Sequence, residues 1–176
     1  MDFDYASEQM IQDSALERYK VLVFLWGPVT EKSVLDRIDA WVQAGGTVIV
    51  PVQPRGFPST VENDQSVALA WRQRKTSKGQ AIFWEGDAIP TEPYAQFIRE
   101  QLLNLAGIRP RIKAALRMSK PSGVFWSVLD TGKLALLNHR AVPASVCLSS
   151  GKTIVIEPYG IVIVATGDPA AANGPA

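Results

Sequence analysis

The sequence predicts an α/β fold in which a partial parallel sheet is followed by a small antiparallel β domain. Three observations carry this. Tyr19-Lys-Val-Leu-Val-Phe-Leu-Trp-Gly27, a helical stretch, and Ala44-Gly-Gly-Thr-Val-Ile-Val-Pro51 read as strand, helix, glycine corner and strand. Such a unit is one parallel crossover of an open sheet, and its hand should be right. Another strand, Gln80–Trp84, and a further amphipathic stretch follow. From about Arg109 the apolar period changes to two, and Gly-containing turns recur between short segments.

Taken in order, Asp2–Tyr5 reads as a short strand and Ser7–Arg18 as a helix capped by Ser7, with Met10, Ile11 and Leu16 partly inward. Val21–Trp26 is an unbroken apolar run, as expected of a strand covered on both faces. Thr30 is placed to cap the next helix, with Glu31 in its first turn. Val34, Ile38 and Val42, with Leu35 and Trp41 alongside, form one apolar stripe at helical spacing. Gly45 suits a left-handed helix end, and Gly46 the tight turn into Thr47–Val50.

Gln53–Ser59 is proline-rich and reads as a loop, with a helix expected around Val61–Arg74. Thr91 is expected to cap a helix whose Tyr94, Phe97, Ile98, Leu102 and Leu105 share a face and which Gly107 ends. Ile112–Met118, Val124–Leu129, Leu134–Asn138, Ser145–Leu148, Thr153–Glu157 and Ile161–Ala165 read as segments of the antiparallel unit. The expected organisation is therefore residues 1–108 α/β, 109–166 antiparallel β, and a disordered Pro/Ala/Gly-rich tail over 167–176.

Composition narrows the function classes. A chain of 176 residues buries roughly 70% of its unfolded surface, enough for a sizeable core. Net charge +1 provides no general field for nucleic acid or an anionic membrane. No apolar run approaches the roughly 20 residues of a membrane span. Asp2, Asp4, Glu8, Asp13 and Glu17 crowd the first twenty residues, unlike a secretory signal. A single cysteine excludes an internal disulfide and fits a cytoplasmic setting.

Candidate chemistry is sparse. Cys147 is the only cysteine and His139 the only histidine. Cys147, in Ser145-Val-Cys-Leu148, reads as a small buried hydrophobe and not as a nucleophile on an elbow. His139, in Asn138-His-Arg140, reads as a solvated turn residue at a strand end. One of each makes no zinc site, and no calcium-loop spacing occurs. No metal and no cofactor are expected. Gly45-Gly46 precedes a strand and opens no helix, so it is no phosphate loop.

Glu85 and Asp87, in Trp84-Glu-Gly-Asp87, are the pair most like two carboxyls about 5–9.5 Å apart across a sugar. They follow a parallel strand's C-terminal end, where α/β ligand sites form. The plainer reading makes them loop and capping residues. Arg72–Lys78 and Arg109–Lys113 are basic clusters without a repeated aromatic platform, which suits solvated loops or ion pairs with an adjoining domain better than nucleic acid. Trp41 and Trp84 read as core; Trp26, Trp71 and Trp126 stay open between core, interface and sugar stacking.

Asp4-Tyr-Ala-Ser-Glu-Gln-Met-Ile, Leu16-Glu-Arg-Tyr-Lys-Val-Leu-Val and Ile38-Asp-Ala-Trp-Val-Gln-Ala-Gly-Gly-Thr-Val-Ile together resemble one known domain. It is the glutamine-amidotransferase-like, flavodoxin-like trimerisation domain of β-galactosidase-type glycoside hydrolases. Gly132-Lys-Leu-Ala-Leu-Leu-Asn138 and Thr153–Val164 resemble the small β domain that closes such enzymes. Two departures stand out. Only three or four strands precede Arg109 where about five are usual, so a strand and helix before Asp2 are expected to be missing. The (β/α)₈ barrel, which needs around 250 residues, is absent too.

Class I amidotransferases place a Cys nucleophile on the strand-to-helix turn. Here that turn is Pro51-Val-Gln-Pro-Arg-Gly56. The resemblance implies a non-catalytic accessory or oligomerisation region of a glycoside hydrolase, with the catalytic barrel or identical subunits as partners. It fits the C-terminal end of a larger enzyme or a free-standing relative. The alternative is a small-ligand or sugar-binding module using the strand-end crevice near Trp26-Gly27 and Trp84–Asp87.

Overall fold

The computed structural model describes residues 4–25, 29–53, 57–73, 78–87 and 92–165. Its elements in chain order are α1 (Glu8–Gln12), a 3₁₀ turn (Ala15–Arg18), β1 (Val21–Val23), β2 (Val29–Thr30), α2 (Lys32–Ala44) and β3 (Thr47–Gln53). Then come β4 (Ser59–Thr60), α3 (Ser66–Gln73), β5 (Gln80–Asp87), α4 (Glu92–Asn104) and α5 (Pro110–Leu116). The strands β6 (Val124–Val128), β7 (Lys133–Asn138), β8 (Ala144–Cys147), β9 (Thr153–Ile156) and β10 (Ile161–Ala165) complete it. The chain forms two compact units that part between Gln101 and Leu102, within α4. This is the expected fold class, a parallel α/β sheet followed by antiparallel β structure.

In the first unit β3 lies at the centre of a parallel sheet of order β1-β3-β5. Its register sets Val21 beside Thr47 on one side and Gln80 beside Thr47 on the other. Val48 and Val50 face Leu35, Ile38 and Val42 of α2 and Ala68 and Trp71 of α3, with Ile11 and Leu16 in the same cluster. On the opposite face the Trp84 ring lies 4.9 Å from that of Phe97 and 5.8 Å from that of Tyr94, both on α4. The sheet is thus covered on both sides, as parallel pairing requires. The Tyr94 hydroxyl donates to the Phe24 carbonyl at 2.8 Å, and the Trp71 indole donates to Asp39 at 2.8 Å.

Several boundaries depart from expectation for local reasons. Ser7 caps α1 as expected, its hydroxyl accepting from the Met10 N–H. The helix nevertheless stops at Asp13, because Ser14 takes a left-handed φ of 65°, and a separate 3₁₀ turn follows. Asp4 and Tyr5 carry no strand, and Met10 is exposed. β1 pairs regularly only over Val21–Val23 and is half-buried, since it is a sheet edge.

Thr30 does not cap α2. It pairs in β2 against β4, its hydroxyl donates to Glu8 at 2.7 Å, and Glu31 occupies the cap position. Ser59, the last residue of the expected Gln53–Ser59 loop, therefore opens a strand. α3 starts at Ser66 and not at Val61, because Asn63 is left-handed (φ 62°) and the Asp64 carboxylate receives the Ser66 N–H and hydroxyl. The glycine corner is as read. Gly45 has φ 128°, and a Cβ on Gly46 would run into the Trp41 indole.

In the second unit Ile112–Met118 is not a strand. Pro110 at the first helical position and the helix formers Ala114-Ala115-Leu116 make it α5, whose last three residues are buried. The strands form a three-stranded antiparallel sheet, β10-β7-β6, and a two-stranded one, β8-β9. Val124, Trp126, Leu134 and Leu136 point to the buried side of the larger sheet. Asn138, wholly buried, ties the strand end to its surroundings. Its amide donates to the carbonyls of Val142 (2.9 Å), Ile156 (3.1 Å) and Glu157 (3.0 Å) and accepts from the Arg140 N–H. No helix among the described residues is long and apolar enough to cross a membrane.

Candidate functional site

Glu85 and Asp87 do not follow a strand end; both lie within β5, which runs on to Asp87 opposite Gln53. The Glu85 carboxylate accepts from the Arg72 guanidinium at 2.6 Å, and that guanidinium stacks 5.1 Å from the Phe83 ring and 5.8 Å from the Phe57 ring. Arg72 is thus held on two aromatic faces by a partner charge that lies within its own unit and not in an adjoining domain. Trp84, the imagined sugar contact, is turned into α4 and shields Gly86, where a Cβ would strike the indole. Trp26 and Gly27, the other half of the expected crevice, lie outside the described residues, as do the Thr91 cap and the 167–176 tail.

The two reactive residues are far apart in role. Cys147 is half-buried in β8, its backbone bridged to Ser119 and its thiol 3.7 Å from the Leu148 carbonyl. His139 is exposed at the end of β7, and its ring meets those of Phe125 and Tyr159 edge-on, at 6.4 and 6.3 Å. Among the described residues the thiol's partner is that carbonyl, and no base is aligned with it. Among the described residues no group of three or more His, Cys, Asp or Glu is arranged to hold a metal. Of the tryptophans, Trp71 and Trp126 are buried core residues.

The feature that residue-by-residue reading missed is the outer face of the β10-β7-β6 sheet. Register puts Phe125, Leu137 and Ile161 in one row, and Ser127, Ala135 and Ile163 in the next. His139 and Tyr159 continue the same face beyond the first row, and Lys133 with Ala165 bounds it at the other end. The signal was present in the sequence: Val124-Phe-Trp-Ser-Val and Ile161-Val-Ile-Val are apolar at both parities, although one parity fills the core.

No family model matches the sequence, and no curated protein matches it. Solved structures do. The GH42 exo-carrageenase from Bacteroides ovatus superposes with a TM-score of 0.53 at 13% identity, over 91% of this chain and 23% of that one. A GH42 β-galactosidase from G. stearothermophilus gives a TM-score of 0.48 at 14% identity, over 84% of this chain and 32% of that one. The chain spans about a quarter of the length of the carrageenase. At this identity the likeness shows a shared fold: nearly the whole chain has the architecture of one portion of that enzyme.

Proposed function

We propose that this chain is a non-catalytic accessory region of a carbohydrate-active glycoside hydrolase, supporting and assembling the catalytic part. The observation that carries the reading is the superposition of 91% of the chain on less than a quarter of a GH42 enzyme. Two features agree with it. β3 runs through Pro51 and Val52 to Gln53 and so brings no cysteine to the strand end where an amidotransferase nucleophile belongs, and Glu85 is committed to Arg72. The purified chain is expected to turn over neither aryl glycosides nor glutamine. Turnover abolished by Glu85→Gln or Cys147→Ser would overturn the reading.

A sugar-binding module is the second reading, supported by the part-exposed Arg72–Glu85 pair on Phe57 and Phe83 near the strand end. Saturable quenching of tryptophan fluorescence by a free sugar, lost in Arg72→Ala, would favour it over the first.

A further inference from the structure

The outer face of the three-stranded sheet is apolar and open. Phe125 is 55% exposed, Ile161 67%, Ile163 57% and Tyr159 65%, and all four share one face with Leu137 and Ala135. Contiguous apolar patches of this size on a soluble surface mark contact sites. Among the described residues the rows of this face carry no carboxylate, and Lys133 at the rim is their one formal charge. A charged partner or an anionic membrane therefore finds little complement on it. The His139 ring stands edge-on to both Phe125 and Tyr159, at 77° and 88°, and so ties the two aromatics into one cluster.

We propose that this face is a self-association surface on which a second copy of the chain packs sheet to sheet. The inference rests on the assembly reading above and names its surface. The rows are self-complementary. A two-fold axis lying between them, perpendicular to the strands, sets Phe125 over Ser127 of the other copy, Leu137 over Ala135, and Ile161 over Ile163. Phe125 and Leu137 thus each meet a small side chain and Ile161 meets an isoleucine, a self-complementary set of the kind an isologous contact uses, at the roughly 10 Å spacing of packed sheets. The same axis brings Lys133 of each copy beside Tyr159 and His139 of the other, a cation over an aromatic pair.

Two aromatics and two isoleucines more than half exposed amount to roughly 500 Å² per copy. A dimer would cover about 1,000 Å² in all, the lower limit for a specific interface. The dimer is accordingly weak and concentration-dependent.

Sedimentation velocity from about 1 to about 200 µM tests this. The wild-type chain is expected to pass from monomer to dimer. Phe125→Glu and Ile163→Glu are each expected to weaken the dimer at least tenfold while circular dichroism and thermal unfolding stay native. Val155→Glu, an equally exposed apolar position on β9 outside the face, leaves it unchanged. Phe125→Ser and Ser127→Phe each weaken it, and the double variant restores it by exchanging large for small across the axis.

A chain that stays monomeric throughout overturns the proposal, as does a dimer indifferent to Phe125→Glu. The second result moves the interface but leaves the assembly reading standing. Glycoside turnover by the chain alone is the separate result that removes the assembly reading.

Discussion

The two units each contain a sheet with apolar residues at both parities, and they dispose of the second face differently. In the first, Val48, Ile49 and Val50 of β3 are all wholly buried, because α1, α2 and α3 cover one side and α4 the other. In the second, Leu134 and Leu136 of β7 are buried while Ala135 and Leu137 between them are half-exposed. Parallel strands reach this arrangement through crossover helices, so cover comes with the connection. Antiparallel strands joined by tight turns bring no helix with them. What the second unit has in place of a helical cover is a polar hub at one end, Asn138, and an apolar face open to a partner. The difference leaves an uncovered apolar face in the β unit, while the central strand of the α/β unit is covered on both sides.

The comparison is tested most strongly in the core that is covered twice. Leu35 is buried among Ile38, Val48 and Trp71. Leu35→Ala is expected to cost about 3 kcal/mol or more from lost transfer energy and the cavity left behind. Hydrogen exchange should then accelerate in β3 and β5. Were protection in β6 and β7 to fall equally, the two units would not be energetically distinct. Asn138→Ala comes next, at about 2 kcal/mol, since it leaves the buried Ile156 carbonyl and the part-buried carbonyls of Val142 and Glu157 without their donor. Here faster exchange is expected in β7 to β9. A loss below the error of chemical denaturation would mean the hub is decorative and the open-faced sheet stands by apolar packing alone.

Tyr94→Phe is smaller, about 1 kcal/mol, for the one hydrogen bond to the Phe24 carbonyl. Burial raises the Tyr94 hydroxyl's pKa, so the neutral donor persists through alkaline conditions. Its loss should be read at the end of β1, where that carbonyl lies. Unchanged exchange there would show that α4 is held by ring packing against Trp84 alone.

Much of this architecture was legible because it follows from periodicity. The α2 stripe, the Gly45-Gly46 corner, the three parallel strands and the β hairpins were all written in apolar spacing and turn residues. The errors were of two physical kinds. Left-handed Ser14 and Asn63 cut helices that the apolar pattern alone would continue; asparagine is a residue type that takes this conformation, whereas Ser14 does not announce it by type. Short alternating runs are ambiguous: Ile112–Met118 matched a strand's period, but Pro110 at a helical first turn outweighs that match. The open face was missed because each of its residues is an ordinary strand residue. Only the register of β6, β7 and β10 shows that Phe125, Leu137 and Ile161 form one row.

The smallest effect expected is a pH dependence, and it concerns how the first unit's cover is fastened. Asp64 stands before α3, the helix that carries Trp71 onto the sheet, and accepts the Ser66 N–H and hydroxyl at 2.8 and 2.9 Å. Those bonds favour the charged carboxylate, and the Lys32 charge adds to them, so the Asp64 pKa falls below its ordinary 3.8. A depressed folded-state value means that the stabilising contribution is fully present above the ordinary value. It is lost as pH falls from there through the lower, folded one. Asp64→Asn keeps an acceptor for the Ser66 N–H but has no proton to gain. Thermal unfolding followed from about pH 5 into the range below 3.8 should therefore fall more steeply for the wild-type chain than for this variant. The added exchange should appear in α3 and spare β6 to β10, which have no such cap to titrate. Parallel pH profiles for the two proteins would show that α3 is held on the sheet by Trp71 and Ala68 alone, with its cap contributing nothing that acid can remove.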